Sequence, residues 1–411
     1  MSLQEQQSLE SAYVMGTFAR KPVEFVGGRG MTLVDDAGRE YLDFLSGIGC
    51  DCLGHCPPVL VDAIGAQASQ LIHVSNYFYI PQRGEVAAHL SDLLNRYAPE
   101  GEQGPWKTFF TNSGAESNEC ALKLARLHGR RRAQEAGGPD APVPYHVVTV
   151  DASFHGRTMM TLAATAQPKF HVDFAPMPDG FYDVPRNDVA ALEAVFAEHG
   201  AAICAVMLEC VQGESGVHPM TPEFLAAARR LTREHGALLI CDEVQCGIFR
   251  TGRPFGFQHY GVVPDVVAMA KGIAGGFPAG ACAARAEVAD LFAPGDHGTT
   301  FGGSCLAVAA AHAVLGELDA GGYEQRAAEA GAYLRERLAA LPRVHDVRGL
   351  GLMVGCDLAE DAPSAPEVVA AALEAGFVLN ATGPRTLRFL PPLICEKSHI
   401  DALVDTLAAL I

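Results

Sequence analysis

The sequence predicts an α/β protein built on a mostly parallel β-sheet with helices on both faces. Three observations carry this expectation. Between about residues 61 and 300, short apolar runs alternate with helical stretches. The chain is 411 residues long, which suits two or three domains. Its hydrophobic share is 49%, ample for a large buried core.

Taken in order, residues 1–60 read as a separate start. A polar, helix-like opening leads to strand patterns at Phe25-Val26, Met31–Val34 and Tyr41–Phe44, punctuated by Gly27-Gly28, Gly30 and Asp36-Ala37-Gly38. The central strands are expected at Thr108–Thr111, Val147–Val150, Ile203–Leu208, Ala237–Cys241, Val266–Ala270 and Gly280–Ala284. From about residue 305 the chain is alanine-rich and helical, then returns to strand patterns at Leu350–Leu358 and Leu387–Leu390. Glu135–Pro144 and Glu360–Pro366 read as loops. The run Arg130-Arg131-Arg132 is expected to complement the C-terminus of the helix it ends.

Lys and Arg total 30 against 48 Asp and Glu, a formal charge of −18. That acidity argues against a nucleic-acid or membrane-surface partner, both of which need basic patches. No apolar run reaches the roughly 18 residues of a membrane span. The N-terminus MSLQEQQSLES has neither the basic start nor the apolar centre of a secretory signal, so a soluble, cytoplasmic protein is expected. Many of the 12 cysteines lie in apolar segments and suit a reducing compartment. Cys50, Cys52, His55 and Cys56 lack a second ligand pair at a distance, and read as packing thiols rather than a metal site.

Three features carry chemistry because sites in such sheets form beyond the carboxyl ends of strands. Ser113-Gly114-Ala115, with Glu116 at capping-box spacing from Ser113, follows one strand and opens a long helix. It is either a plain capped helix or a cradle of free N–H groups for a phosphate. Asp242 and Glu243 end another strand, and alternation lets only one of them face a given site. Asp242 suits a cationic ring nitrogen, a metal or an ordinary turn. Lys271 is one of six lysines and alone follows an apolar strand and precedes a Gly-rich turn. Either it is a strand-end surface lysine, or desolvation favours the neutral amine that a Schiff-base lysine needs. Together these are the parts needed to hold pyridoxal phosphate.

At these residues the chain resembles the class III pyridoxal-phosphate aminotransferases, and within them the acetylornithine aminotransferases. The likeness runs from about residue 20 to the C-terminus. Its motifs are Asp43–Gly49, Leu53–Cys56, His73–Asn76, Asn112–Glu119, Phe154–Thr158, Gln212–Glu214, Asp242–Gln245, Gly298–Gly303 and Leu387–Leu393.

The resemblance implies a fold-type-I transferase. Its large domain would span 61–304, and its small α+β domain would be assembled from 1–60 and 305–411. It implies Lys271 as the cofactor-bearing base and Asp242 as the partner of the pyridine nitrogen. Gln245 would meet the phenolic oxygen and Phe154 would stack on the ring. Ser113, Gly114 and Ala115 would take the phosphate, with Glu243 and Val244 beside them in the cofactor set. Thr300 would reach the phosphate of a neighbouring subunit, which implies a homodimer with shared sites and no metal. Arg157 would bind a substrate carboxylate and Thr299 the amino donor. Arg388 would take the α-carboxylate of glutamate or 2-oxoglutarate, with Glu214 as its partner otherwise. Two separated arginines also suit a dicarboxylate on chemical grounds.

Gly302-Gly303-Ser304-Cys305, Cys50 and Cys52 depart from the family's commoner residues. Ile48 is apolar where ornithine aminotransferases tend to carry tyrosine. The expected activity is N-acetylornithine:2-oxoglutarate transamination in arginine biosynthesis. Its rivals are a related ω-amine transaminase using ornithine, 4-aminobutyrate or succinyl-diaminopimelate, an aminomutase, and a non-catalytic nucleotide- or metal-binding protein.

Overall fold

A computed structural model describes residues 2–411. Its centre is a seven-stranded sheet in the order Trp106–Thr111, Gly280–Arg285, Val266–Met269, Leu238–Asp242, Ile203–Leu208, His146–Val150 and Phe181–Val184. Gly280–Arg285 runs antiparallel to both neighbours, and every other pairing in the sheet is parallel. The parallel strands are almost continuously apolar because helices cover both faces. Ile203–Leu208, Leu238–Asp242 and Val266–Met269 are buried at every position. Their carboxyl ends converge on one edge, which positions the site.

Six of these strands lie where the apolar runs place them. The seventh, Phe181–Val184, was not anticipated from the sequence. It is a four-residue edge strand whose Asp183 breaks the apolar run, and only Val184 is buried. The run Leu350–Leu358 proves to be two strands, Val344–Leu350 and Met353–Leu358. Gly351 makes the turn between them at φ +52, and a Cβ there would lie 2.3 Å from the backbone of Thr251.

The arginine expectation also needs correction. The helix that opens at Gly114 continues to Gly137, with no basic residue in its last turn. Arg132 instead donates to His235 O at 2.7 Å, satisfying the C-terminus of the Pro222–His235 helix.

The two ends of the chain meet in a second sheet. Phe25–Arg29, Thr32–Asp35 and Glu40–Asp43 form a meander, and Phe377–Val378 adds to it in parallel through the pairs Phe377↔Leu42 and Val378↔Asp43. Four further strands, Val344–Leu350, Met353–Leu358, Thr386–Phe389 and Asn380–Ala381, form a third sheet that carries Arg388. No single helix is long and apolar enough to cross a membrane among the described residues.

The cysteines near residue 50 diverge. Cys50 lines the central cavity, Cys52 is buried with its thiol donating to Gly272 O at 3.3 Å, and Cys56 is exposed.

Candidate active site

A cavity of about 380 Å³ opens at the carboxyl edge of the large sheet. Its floor is made by residues that end strands or begin helices. Ser113 caps the Gly114–Gly137 helix, its Oγ accepting from Glu116 N at 3.3 Å. The reciprocal half of the expected capping box goes elsewhere. The Glu116 carboxylate accepts from Asn112 N at 2.9 Å and Asn112 Nδ2 at 2.8 Å, not from the N–H of Ser113. The first-turn N–H groups of Gly114 and Ala115 have no intrahelical acceptor by the geometry of any helix start, and both residues line the cavity. A Cβ on Gly114 would lie 2.7 Å from Val244 Cγ1, so only glycine keeps this end of the helix open opposite Val244.

Asp242, at the end of Leu238–Asp242, is 3% exposed. Its Oδ2 accepts from Asn118 Nδ2 at 2.7 Å and from His155 Nδ1 at 2.8 Å, while Oδ1 accepts from Val244 N at 3.0 Å. Burial disfavours a charged His155, but the hydrogen bond and charge of Asp242, with Glu209 nearby, outweigh it and raise its pKa. Glu209 follows the Ile203–Leu208 strand and lines the cavity. It accepts from Phe154 N at 2.9 Å and from Gly213 N at 3.4 Å. Burial raises its pKa well above the ordinary carboxylate range; His155 opposes that rise and Asp242 adds to it.

Lys271 begins a short turn after Ala270 and holds a left-handed backbone at φ +42, a conformation that non-glycine residues adopt only where their surroundings impose it. The strand it leaves is tied to the Ser113 helix, because Ser117 Oγ donates to Met269 O at 3.0 Å. The helix start and the lysine are thereby fixed to each other.

The expected residues divide into four sets. Ser113, Gly114, Ala115, Phe154, Arg157, Glu214, Asp242, Val244, Gln245 and Lys271 line one cavity. Arg388 stands behind it, 2% exposed, donating to Glu214 Oε1 at 2.6 Å, Gln245 Oε1 at 3.1 Å and Asn380 Oδ1 at 3.0 Å. Burial works against the Glu214 carboxylate, but Arg388, with Lys271 nearby, lowers its pKa overall.

Thr299 and Thr300 are not part of this cavity. Thr299 Oγ1 accepts from Asn112 Nδ2 at 3.1 Å, and Thr300 is exposed. Ile48 is also outside it, 41% exposed in a left-handed turn at φ +65.

Glu243 is a correction. Its fully buried carboxylate points away from the cavity and accepts from Gly256 N at 2.7 Å and Phe257 N at 2.8 Å. Strand alternation allows only one of the two adjacent acids to face the site, and Asp242 is the one.

Sequence reasoning assigned no role to Asn118, His155 or Glu209. Each left a signal. Asn118 lies four residues after Gly114 and so shares its helix face. His155 adjoins Phe154, and Glu209 is an acid at the end of an apolar strand.

These residues fit pyridoxal phosphate. A helix start kept open by Gly114 suits its phosphate, the buried carboxylate of Asp242 suits a ring N–H, and an amine at Lys271 suits its aldehyde. A family model described as aminotransferase class-III matches residues 18–411. An acetylornithine aminotransferase from Caldanaerobacter subterraneus subsp. tengcongensis is 45% identical over 403 residues, 97% of each chain. Among solved structures, the ornithine aminotransferase of Toxoplasma gondii ME49 superposes with a TM-score of 0.89 at 30% identity, covering 100% of this chain and 94% of the other. The acetylornithine aminotransferase of Elizabethkingia anophelis superposes at 0.84 with 29% identity, covering 100% and 99%. The chain belongs to the class-III aminotransferases, which are pyridoxal-phosphate enzymes.

Proposed function

We propose that the protein is an N-acetylornithine:2-oxoglutarate aminotransferase, producing N-acetylglutamate semialdehyde and glutamate. The observation that carries this reading is the pairing of Arg388 with Glu214 at the edge of a cavity that also holds Arg157. Among the described residues Arg157 makes no hydrogen bond or ion pair, while Arg388 is held by the Glu214 carboxylate, which a substrate acid would have to displace. That suits an enzyme alternating between a donor with one carboxylate and an acceptor with two. The similarity to acetylornithine aminotransferases along almost the whole chain supports the acylated donor.

Ser113, Gly114, Ala115, Asp242, Gln245, Phe154 and Lys271 would hold the cofactor, with Val244 as the wall opposite Gly114. When bound, pyridoxal phosphate supplies a carbonyl that takes up the amine and a ring that accepts an electron pair. The protein's own groups do the rest. Asp242, braced by His155 and Asn118, presents a fixed negative charge that costs no reorganisation during reaction. The Nζ of Lys271 removes and returns the proton at the substrate carbon. Arg157 takes the donor carboxylate. Glu214 keeps Arg388 occupied while the donor is present, then yields it to the α-carboxylate of the diacid. An aminomutase needs no such exchange of acids.

We further propose division of labour along the chain, with 61–304 as the large domain and 1–60 plus 305–411 as the small one. The Leu42↔Phe377 pairing supports joining the two ends. A homodimer with shared sites is also proposed. Thr300 lies outside its own cavity beside the exposed Phe301, and Asn76 Nδ2 donates to Thr299 O at 2.9 Å, next to exposed Tyr77, Phe78 and Tyr79. Such a patch suits a subunit contact.

The function is tested by half-reaction. Holoenzyme given N-acetylornithine alone should release aldehyde in one stoichiometric burst and stop, then resume when 2-oxoglutarate is added. Continuous turnover without a keto acid would contradict it.

A further inference from the structure

Arg388 and Arg157 are held in opposite ways. Arg388 is buried against Glu214, Gln245 and Asn380. Arg157 is exposed and makes no hydrogen bond or ion pair among the described residues. What it does have is aromatic faces. Its guanidinium carbon lies 4.0 Å from the Phe170 ring centroid and 5.3 Å from that of Phe154.

Phe170 is built to stay there. It ends the short turn Pro168–Phe170, whose proline presets the first backbone angle, and its N–H donates to Gln167 O at 3.0 Å. The next residue, His171, places Nε2 at 2.8 Å from Leu162 O and 2.9 Å from Thr165 O. That ties the turn to the end of the Met159–Ala164 helix, which begins two residues after Arg157. Ring and guanidinium are therefore mounted on opposite ends of one helix. Lys169 Nζ lies 4.8 Å from the same ring centroid, and Lys169 also has no acidic partner among the described residues.

We propose that Phe170 is a positioning residue that sets affinity for the substrate carboxylate. Its face holds Arg157 at the cavity rim without a counter-acid. This rests on the reading of Arg157 as the carboxylate-binding arginine. A ring engages the plane of a guanidinium and leaves its N–H edge free. An acid in the same place would occupy that edge and compete with substrate, as Glu214 does at Arg388. The donor carboxylate therefore meets an arginine that is oriented but unspent, whereas the second carboxylate of the acceptor must displace Glu214.

The test compares holoenzymes carrying Phe170→Leu, Phe170→Tyr and Arg157→Gln. The readouts are kcat, KM for N-acetylornithine, and Kd for glutarate, an unreactive diacid. Phe170→Leu keeps apolar bulk and loses the π face. It should raise KM and the glutarate Kd about tenfold, equal to about 1.4 kcal/mol, with kcat changed less than about twofold. Phe170→Tyr restores the face and should restore both constants, while Arg157→Gln should raise them further. If the leucine variant does not fold, Phe170→Met gives the same comparison with a more adaptable side chain. The proposal is overturned if Arg157→Gln raises KM while Phe170→Leu does not. It is also overturned if the tyrosine variant is as impaired as the leucine variant, or if only kcat falls. An Arg157→Gln enzyme with unchanged KM and Kd overturns the underlying reading of Arg157 itself.

Discussion

The floor of the cavity and its rim are built on different physical terms. The floor consists of strand ends and one helix start, locked by hydrogen bonds that are buried from Asn118 and His155 to Asp242 and from Ser117 to Met269, and part-buried from Phe154 N to Glu209. At the rim, Arg157 rests on ring faces, Ile48 stands 41% exposed, and Thr299 and Thr300 lie on a loop outside the cavity. The difference teaches where chemistry and selectivity reside. Groups that handle charge at the reacting centre are fixed before substrate arrives. On the proposed assignment, the substrate-facing Arg157 sits exposed at the rim, whereas Arg388 is buried on a strand against Glu214.

The strongest way to break this contrast is to remove floor residues. Lys271→Ala should abolish turnover, and borohydride reduction of the wild-type holoenzyme followed by peptide mapping should find the cofactor on Lys271. A label on another lysine would refute the floor as described. Asp242→Asn keeps shape and loses charge. Turnover should fall roughly a hundredfold or more, since one such electrostatic partner contributes about 3 kcal/mol. Near-normal turnover would mean that the network around Asp242 is scaffolding alone.

A smaller effect is expected at the rim. Mixed dimers of Thr300→Ala with Lys271→Ala subunits place both defects in one site and neither in the other if Thr300 acts across the interface, so activity returns. No recovery above the parent variants would assign Thr300 to its own chain.

The smallest effect concerns pH. Burial, with Asp242 nearby, pushes the carboxyl pKa of Glu209 from 4.5 up to about 7 against the opposing charge of His155. Below about 4.5 the group is protonated whether the chain is folded or not, so it costs nothing. As pH rises towards about 7 the unfolded chain ionises more readily than the folded one, and stability falls. Glu209→Gln removes that contribution. The urea midpoint of the wild-type holoenzyme should drop more between about pH 5 and about pH 8 than that of the variant. Equal drops would show that Glu209 does not carry the strained charge.

This contrast also explains what could be read from sequence. Ile203–Leu208, Val266–Met269 and the helix start at Gly114 are legible because buried parallel strands are near-continuous apolar runs and helix starts carry capping residues. The strand-end positions of Lys271 and Asp242 are legible in the same way, but position alone leaves a surface lysine and an ordinary turn open, and their roles come from the resemblance. Phe181–Val184 was not legible because an edge strand needs no full apolar pattern. Glu243 belongs to the motif Asp242–Gln245 that the resemblance assigns to the cofactor, although the pleat turns it towards Gly256 and Phe257. His155 and Glu209 were missed because their role is a contact with Asp242 across distant segments, which no local pattern encodes. Phe170 was invisible for the same reason. A phenylalanine twelve residues before Tyr182 announces nothing until the turn at Pro168 brings it against Arg157.

The central claim is the choice of donor, and one ratio tests it most directly. kcat/KM should be measured for N-acetylornithine and for free ornithine under identical conditions with 2-oxoglutarate. Glu214 is held by Arg388, and Glu209 by the N–H groups of Phe154 and Gly213, so neither carboxylate is left to pair with a second ammonium on the donor, and burying an unpaired ammonium costs several kcal/mol. Even about 3 kcal/mol corresponds to roughly a hundredfold preference for the acylated substrate. A ratio of that order is the predicted result. Equal values, or a preference for ornithine, would contradict the acyl-specific reading.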